Sequence, residues 1–283
     1  MRLGAITDEF SPDPEIAAAA MRAAGLETAE LRVLWGRNIL DLNDSELDRA
    51  LAIFSKQGLA IDSIASPLFK CVLPGDAPLD RRFERDVFNA AYDFADQARL
   101  TNRAFDIAHR CGAGIVRVFS FWRTAQPETV FERVVDLLMD LAEQASDADL
   151  TIGLENEHAC NIATTREAAR VLAALDHPNL KIVWDPANAL VAGESPESGG
   201  LDLLPVERIA HVHAKDCRVV DGQPQWMAFG AGDVGWREQI QALRQAGYAG
   251  DINLETHWTG PNGDKLEASR ICAQQLRQTV AQA

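Results

Sequence analysis

Positive charge is scarce in this chain. Only 27 lysines and arginines stand against 42 aspartates and glutamates, which gives a formal charge of -15 and a pI near 4.8. Such a field repels phosphate backbones, whose neutralisation supplies most nucleic-acid affinity, so no nucleic-acid partner is expected. Cysteine is sparse as well. Cys71, Cys111, Cys160, Cys217 and Cys272 are odd in number and widely spaced, and no CxxC occurs. That pattern predicts reduced thiols in the cytoplasm, not a disulfide framework. No run of about 18 apolar residues is present, so no membrane span is expected. The opening MRLGAITDEF lacks the apolar core and small-residue cleavage site of a signal peptide. Low-complexity linkers and blocks of like charge are absent too, so one domain over residues 1–283 is expected. What remains is ordinary for a globular enzyme: 47% hydrophobic and 24% charged residues.

Along that length strand and helix signals alternate without a break. Strands are predicted at Arg2–Thr7, Thr28–Val33, Leu59–Ala65, Ile115–Phe119, Thr151–Leu154, Lys181–Trp184, Ile209–Val212 and Asp251–Leu254. Between them, Pro14 with Ser11 or Asp13 as cap opens one helix, and Asp44 or Ser45 opens the next. Further helices are predicted over Arg81–Arg110, after Pro127, from Thr164-Thr165 to Leu175, over Trp236–Ala246 and over Lys265–Gln282. The segments Ser66–Pro78 and Gly193–Gly200 read as loops. Eight βα units in series fit a single (β/α)8 TIM barrel better than a doubly wound sheet.

Four hard donors close four of these strands: Glu155 in TIGLENEH, Asp185 in KIVWDPAN, His213 in IAHVHAKD and Glu255 in DINLETH. They are 30, 28 and 42 residues apart. In a barrel the C-terminal strand ends carry the chemistry, so the four would line one half of the mouth. Three carboxylates and an imidazole suit a divalent cation, Mn2+ first, then Mg2+ or Co2+, with Zn2+ less favoured for want of a thiolate. The competing reading makes each a helix cap or the partner of an arginine. His211, two residues before His213, points to the same side of the sheet but lies deeper, as a core histidine or a support for the ligand. Lys215 can hold a substrate oxygen or simply neutralise the acidic mouth. Glu30, Arg32, Lys70, Arg117 and His257 are further mouth candidates, and Trp122, Trp226 and Trp258 can stack on a sugar face.

The Glu of LENEH, the Asp of WDPAN, the HVHAKD segment and the Glu of LETH carry a resemblance. With GLAIDSI and FGAGDVGW added, most of the chain resembles the xylose isomerase-like TIM-barrel superfamily, also known as the sugar phosphate isomerase/epimerase family. The resemblance implies a divalent metal on Glu155, Asp185, His213 and Glu255, with Glu155 and Glu255 as acid and base. It implies an isomerase or epimerase of a sugar or related polyhydroxy carbonyl compound, acting through a metal-bound enediolate. A dehydratase or lyase on a keto-sugar, inosose or dehydroshikimate-like substrate shares the same first proton transfer. One departure matters: the ketose epimerases carry histidine three residues after the aspartate ligand, where this chain has Asn188. His158 can supply an imidazole in its place, or be a surface histidine.

Other chemistries find less support. Gly230-Ala231-Gly232-Asp233-Val234-Gly235 matches GxGxxG, but the preceding GQPQWMAF reads as a loop, so these glycines shape a turn and do not bind a dinucleotide. Phosphate at the following helix start stays open. An abasic-site endonuclease needs more histidines than the six present and a basic face, and a relict sugar binder has no need of paired glutamates. A small carbohydrate is the expected partner, and self-association into a homo-oligomer is left open.

Overall fold

The computed structural model describes residues 1–75, 77–87, 90–196 and 200–283. Eight parallel strands close into a barrel: β1 (Arg2–Ile6), β2 (Thr28–Leu31), β3 (Ala60–Leu68), β4 (Ile115–Val118), β5 (Thr151–Glu155), β6 (Leu180–Trp184), β7 (Ile209–Ala214) and β8 (Asp251–Leu254). Each strand pairs with its sequence neighbours, and β1 closes the ring against β8, with Arg2 opposite Asp251 and Ala5 opposite Leu254. The helices are α1 (Pro14–Ala23), α2 (Asp44–Lys56), α3 (Gln97–Cys111), α4 (Phe131–Asp147), α5 (Thr165–Ala174), α6 (Pro186–Val191), α7 (Trp236–Gln245) and α8 (Lys265–Gln282). No helix among the described residues is long and apolar enough to cross a membrane.

Local chemistry accounts for these elements. Asp13 caps α1 by accepting from the Glu15 and Ile16 amides, with Pro14 behind it at the first helical position. On α4, Val134, Leu138, Leu141, Ala142 and Ala145 recur at helical spacing and are buried. Burying one such leucine contributes about 2 kcal/mol, so the inner stripe fixes each helix on the barrel.

Four expectations need correction. Asn43, not Asp44 or Ser45, caps α2, in a box with Glu46, because the helix starts one turn position earlier. The helix expected over Arg81–Arg110 begins only at Gln97, after a short turn over Phe94–Asp96 that Asp93 caps. Before that turn, Leu79 bridges Thr124, and Leu79, Phe83 and Val87 pack on the Phe119–Trp122 cluster. Their apolar surface is thus spent on the barrel mouth and not on a helical stripe; residues 88 and 89 lie outside the described residues. Third, α6 and the hairpin of Asp216–Val220 with Gln223–Met227 were not expected, and the latter turns QPQWM from loop into strand. Fourth, the third strand runs on to Leu68, so the loop expected from Ser66 starts later. In the loops expected at Ser66–Pro78 and Gly193–Gly200, residues 76 and 197–199 fall outside the description.

The barrel interior holds polar groups at its centre. Asn253 donates through Nδ2 to Glu30 Oε2 at 3.0 Å and to Asp62 Oδ2 at 2.7 Å. Gly4 makes room for this layer, since a Cβ there would lie 2.2 Å from Thr28 Oγ1 and 2.3 Å from Asn253 Oδ1. Gly4→Ala therefore has to displace two buried polar side chains, at a cost of about 3 kcal/mol. A drop in Tm of roughly 6–12 °C is expected by calorimetry. An unchanged Tm would mean that the layer is loosely held.

Candidate active site

Glu155 ends β5, Asp185 follows β6, His213 lies near the end of β7 and Glu255 follows β8. All four are buried. Each offers one donor atom, and these four atoms lie within 4.8 Å of one another. His213 Nδ1 is 3.4 Å from Glu155 Oε1 and 3.5 Å from Glu255 Oε2. Neither His213 Nδ1 nor Glu155 Oε2 makes a hydrogen bond, which fits donors shaped for a bound cation. The other ring nitrogen, Nε2, hydrogen-bonds Glu30 Oε2 at 2.9 Å. A carboxylate behind an imidazole orients its ring and sets its tautomer.

Asp185 is a helix cap, as the competing reading expected, and it also faces a lysine. Its Oδ1 caps α6 by accepting from the Asn188 amide at 2.8 Å, while Oδ2 is 2.7 Å from the Lys215 ammonium. Lys215 also reaches Glu255 Oε2 at 2.8 Å, so it spans two of the four donors. Arg32 donates to Glu255 Oε1 at 2.9 Å and also grips Asp8 and Glu9. Arg117 sits 3.3 Å from Glu155 Oε2 and donates to the Ala65 and Ser66 carbonyls. His211 lies below His213, with its Nε2 3.3 Å from Glu30 Oε2.

The charges are strongly interlocked. Burial disfavours a charged Glu255, yet Lys215 and His213 outweigh it and hold the carboxyl well below its ordinary range. Lys215 is held well above its own, against burial, by Asp185 and Glu255. Burial would neutralise His213, but Glu30, Glu155 and Glu255 push it well up. Asp185 goes the other way: burial, with Glu155 and Glu255, overcomes Lys215 and pushes it up to about 6.

Above the cluster opens a cleft of about 350 Å3, lined among others by Lys70, Phe83, Glu157, His158, Trp226 and His257. His158 Nδ1 is 2.8 Å from Asn188 Oδ1 and 3.1 Å from Glu157 Oε1. Asn188 in turn donates to Glu155 Oε1 at 3.1 Å, so it links the cleft histidine to the buried donors. Burial opposes an ionised Glu157, but His158, Lys70 and Lys215 hold its carboxyl down at about 2. The hairpin brings Trp226 over the cleft, 4.5 Å between ring centroids from His257. Glu9, Asp62, Glu157 and Asn253 escaped the sequence reading. Glu157 alone had a local signal, two residues past Glu155 and so on the same side of an extended chain.

A family profile described as Xylose isomerase-like TIM barrel matches residues 18–276. The chain belongs to that family. Among solved structures, the xylose isomerase-like fold recurs in the IOLI protein with a bound zinc atom, at TM-score 0.73 and 17% identity, over 100% of this chain and 97% of that one. It recurs in the probable 3-DHS dehydratase AsbF of Bacillus anthracis, at TM-score 0.70 and 19% identity, over 99% of both chains. The D-allulose 3-epimerase of Methylomonas sp., in complex with D-allulose, superposes at TM-score 0.70 and 16% identity, over 100% of this chain and 96% of that one. A curated relative, an uncharacterized protein of Methanocaldococcus jannaschii, is 28% identical over 127 residues, 42% of this chain and 41% of its own length.

Proposed function

We propose that this family member is a divalent-metal-dependent isomerase or epimerase of a sugar or related polyhydroxy carbonyl compound. The observation that carries the reading is the convergence of Glu155, Asp185, His213 and Glu255 within 4.8 Å at the barrel mouth. Three carboxylates and one imidazole form a donor set for Mn2+, Mg2+, Co2+ or Zn2+. A cation held there would bind neighbouring substrate oxygens and polarise the carbonyl. Glu255, kept ionised by Lys215 and His213, is the group that removes the proton at carbon. Glu155, 3.4 Å from the same imidazole, returns it. Lys215 and Arg32 hold Glu255 in position throughout.

A second reading, a dehydratase or lyase, draws on His158. With Nδ1 engaged by Asn188 and Glu157, its Nε2 is left as the nitrogen that can meet a departing hydroxyl in the cleft. The test is metal analysis of the purified protein, then incubation with manganese, D2O and a panel of keto-sugars. Deuterium incorporation with mass otherwise retained supports isomerisation, and loss of water supports the lyase. A protein that takes up no divalent cation removes both.

Cation binding carries a pH signature. Asp185 is raised to about 6 from a usual value near 3.8. In the metal-free protein this group stabilises the fold below the lower value, and the contribution is lost as pH rises through the upper one. A cation needs the ionised form, so Mn2+ affinity is expected to fall about tenfold per pH unit below 6 and to level off above it. Calorimetric titrations at pH 5, 6, 7 and 8 measure this. Equal affinity at pH 5 and 7 would take Asp185 out of the ligand set.

A further inference from the structure

Lys215 has an anchored backbone and a side chain held unevenly. Its carbonyl accepts from Trp236 Nε1 at 2.9 Å, where β7 ends at Ala214 and the hairpin opens at Asp216. The side chain is buried, with Nζ 2.8 Å from Glu255 Oε2 and 2.7 Å from Asp185 Oδ2. Those two contacts are unequal. The ammonium donates a hydrogen bond to Glu255, whereas Asp185 Oδ2, for all its closeness, receives none among the described residues. An ammonium carries three N–H groups, so this one has donors to spare. The arginines beside it are fixed more firmly. Asp8, Glu9 and Glu255 grip Arg32, and the Ala65 and Ser66 carbonyls tie down Arg117. Of the three cations, Lys215 is the one free to turn.

The weaker of its contacts is also the contested one. Asp185 Oδ1 is engaged in capping α6, so Oδ2 is the oxygen left for a divalent cation, and cation and ammonium compete for it. Their mutual repulsion scales with the product of the charges. Glu157 offers the ammonium another seat. It lines the cleft together with Trp226, whose ring centroid is 5.7 Å from Lys215 Nζ. Its carboxylate is met by His158 Nδ1 at 3.1 Å, the Ala159 amide at 3.3 Å and Asn188 Nδ2 at 3.4 Å, each longer than a good charge-assisted bond. Burial opposes its ionisation, and His158, Lys70 and Lys215 outweigh that, so the Lys215 charge already acts on it.

We propose that Lys215 is a charge switch: a cation that takes Asp185 turns the ammonium from Asp185 to Glu157, with Glu255 as the pivot. Loading the site thereby resets the charge of the cleft as well. The cation rests on the functional reading above; the movement rests on the contacts of Lys215 itself. Calorimetric Mn2+ titration at constant ionic strength compares the wild type, Lys215→Met, Glu157→Gln and the double variant. Lys215→Met is expected to bind Mn2+ about tenfold more tightly, because a competitor has gone. Glu157→Gln is expected to bind it about tenfold more weakly than the wild type, and most of that loss should vanish once methionine stands at position 215. Unchanged affinity in Lys215→Met, or equal losses in the two backgrounds, overturns the switch. Should a variant not fold, a crystal structure of the wild type grown with Mn2+ decides. Nζ within hydrogen-bond reach of Glu157 supports the switch, and Nζ still beside Asp185 Oδ2 overturns it. Absence of Mn2+ uptake by all four proteins removes the functional reading and the switch together, whereas uptake without dependence on Glu157 removes the switch alone.

Discussion

Glu255→Gln is expected to slow solvent-deuterium exchange into a keto-sugar substrate by about 1000-fold, the size of effect a lost general base produces. The substitution keeps the shape of the side chain and one oxygen for Arg32, which now donates to Glu255 Oε1 at 2.9 Å. It removes the charge that accepts the proton, and it sets an amide N–H against the Lys215 ammonium, now 2.8 Å from Oε2. Backbone pairing with β1 and β7 holds β8 in place without that charge, so the variant folds, with a lower Tm because Arg32 and Lys215 lose a buried partner. The circular dichroism of the variant should therefore match the wild type. Calorimetric Mn2+ titration separates two roles for the residue. Slow exchange with Mn2+ affinity kept within about tenfold marks a base, whereas affinity lost by more than that marks chiefly a ligand. Exchange at the wild-type rate would reject both.

The parts of this arrangement legible in the chain are those that local chemistry decides. Short apolar strand signals recur eight times with helix or loop signals between them, and that rhythm is enough for the barrel. The period of two across His211 and His213 put both rings on one side of β7, and in the structure both reach Glu30 Oε2, at 3.3 and 2.9 Å. The hairpin over the mouth was legible but passed over: Asp221-Gly222, both at positive φ, is a strong two-residue turn signal between Val219-Val220 and Gln223. Other features have no local signal at all. Glu9 reaches the site through Arg32, 23 residues on, and beside Glu255 and His257, more than 240 residues on, while Asp62 meets Asn253 from 191 residues away. Residues 81–87 carry enough apolar character for a helix, and only the aromatic cluster around Phe119 and Trp122 explains why they lie across the mouth instead. Pattern reading finds strand ends; which buried carboxylate a given cation will face depends on closure of the ring.

That dependence makes Lys215→Met the most exposing substitution at this site. Lys215 compensates Asp185 and Glu255 in the absence of a cation, at 2.7 and 2.8 Å, and all three groups are buried. Methionine keeps most of the volume and leaves two carboxylates facing each other without a counter-charge. Removing one member of a buried ion pair costs about 3–5 kcal/mol. For a chain of this size that corresponds to a Tm loss of roughly 10 °C, measured with a chelator present. The deficit has a definite sign with pH. Asp185, already raised to about 6, rises further once the ammonium is gone. Protonation then relieves the repulsion, so the variant should approach the wild type towards pH 5 and fall furthest behind at neutral pH and above. Manganese should restore more stability to the variant than to the wild type, because it supplies the positive charge that the substitution took away. A chelated Lys215→Met protein with wild-type Tm at pH 7, or an equal manganese response in the two proteins, would mean that the lysine and the cation do not share this pair of carboxylates.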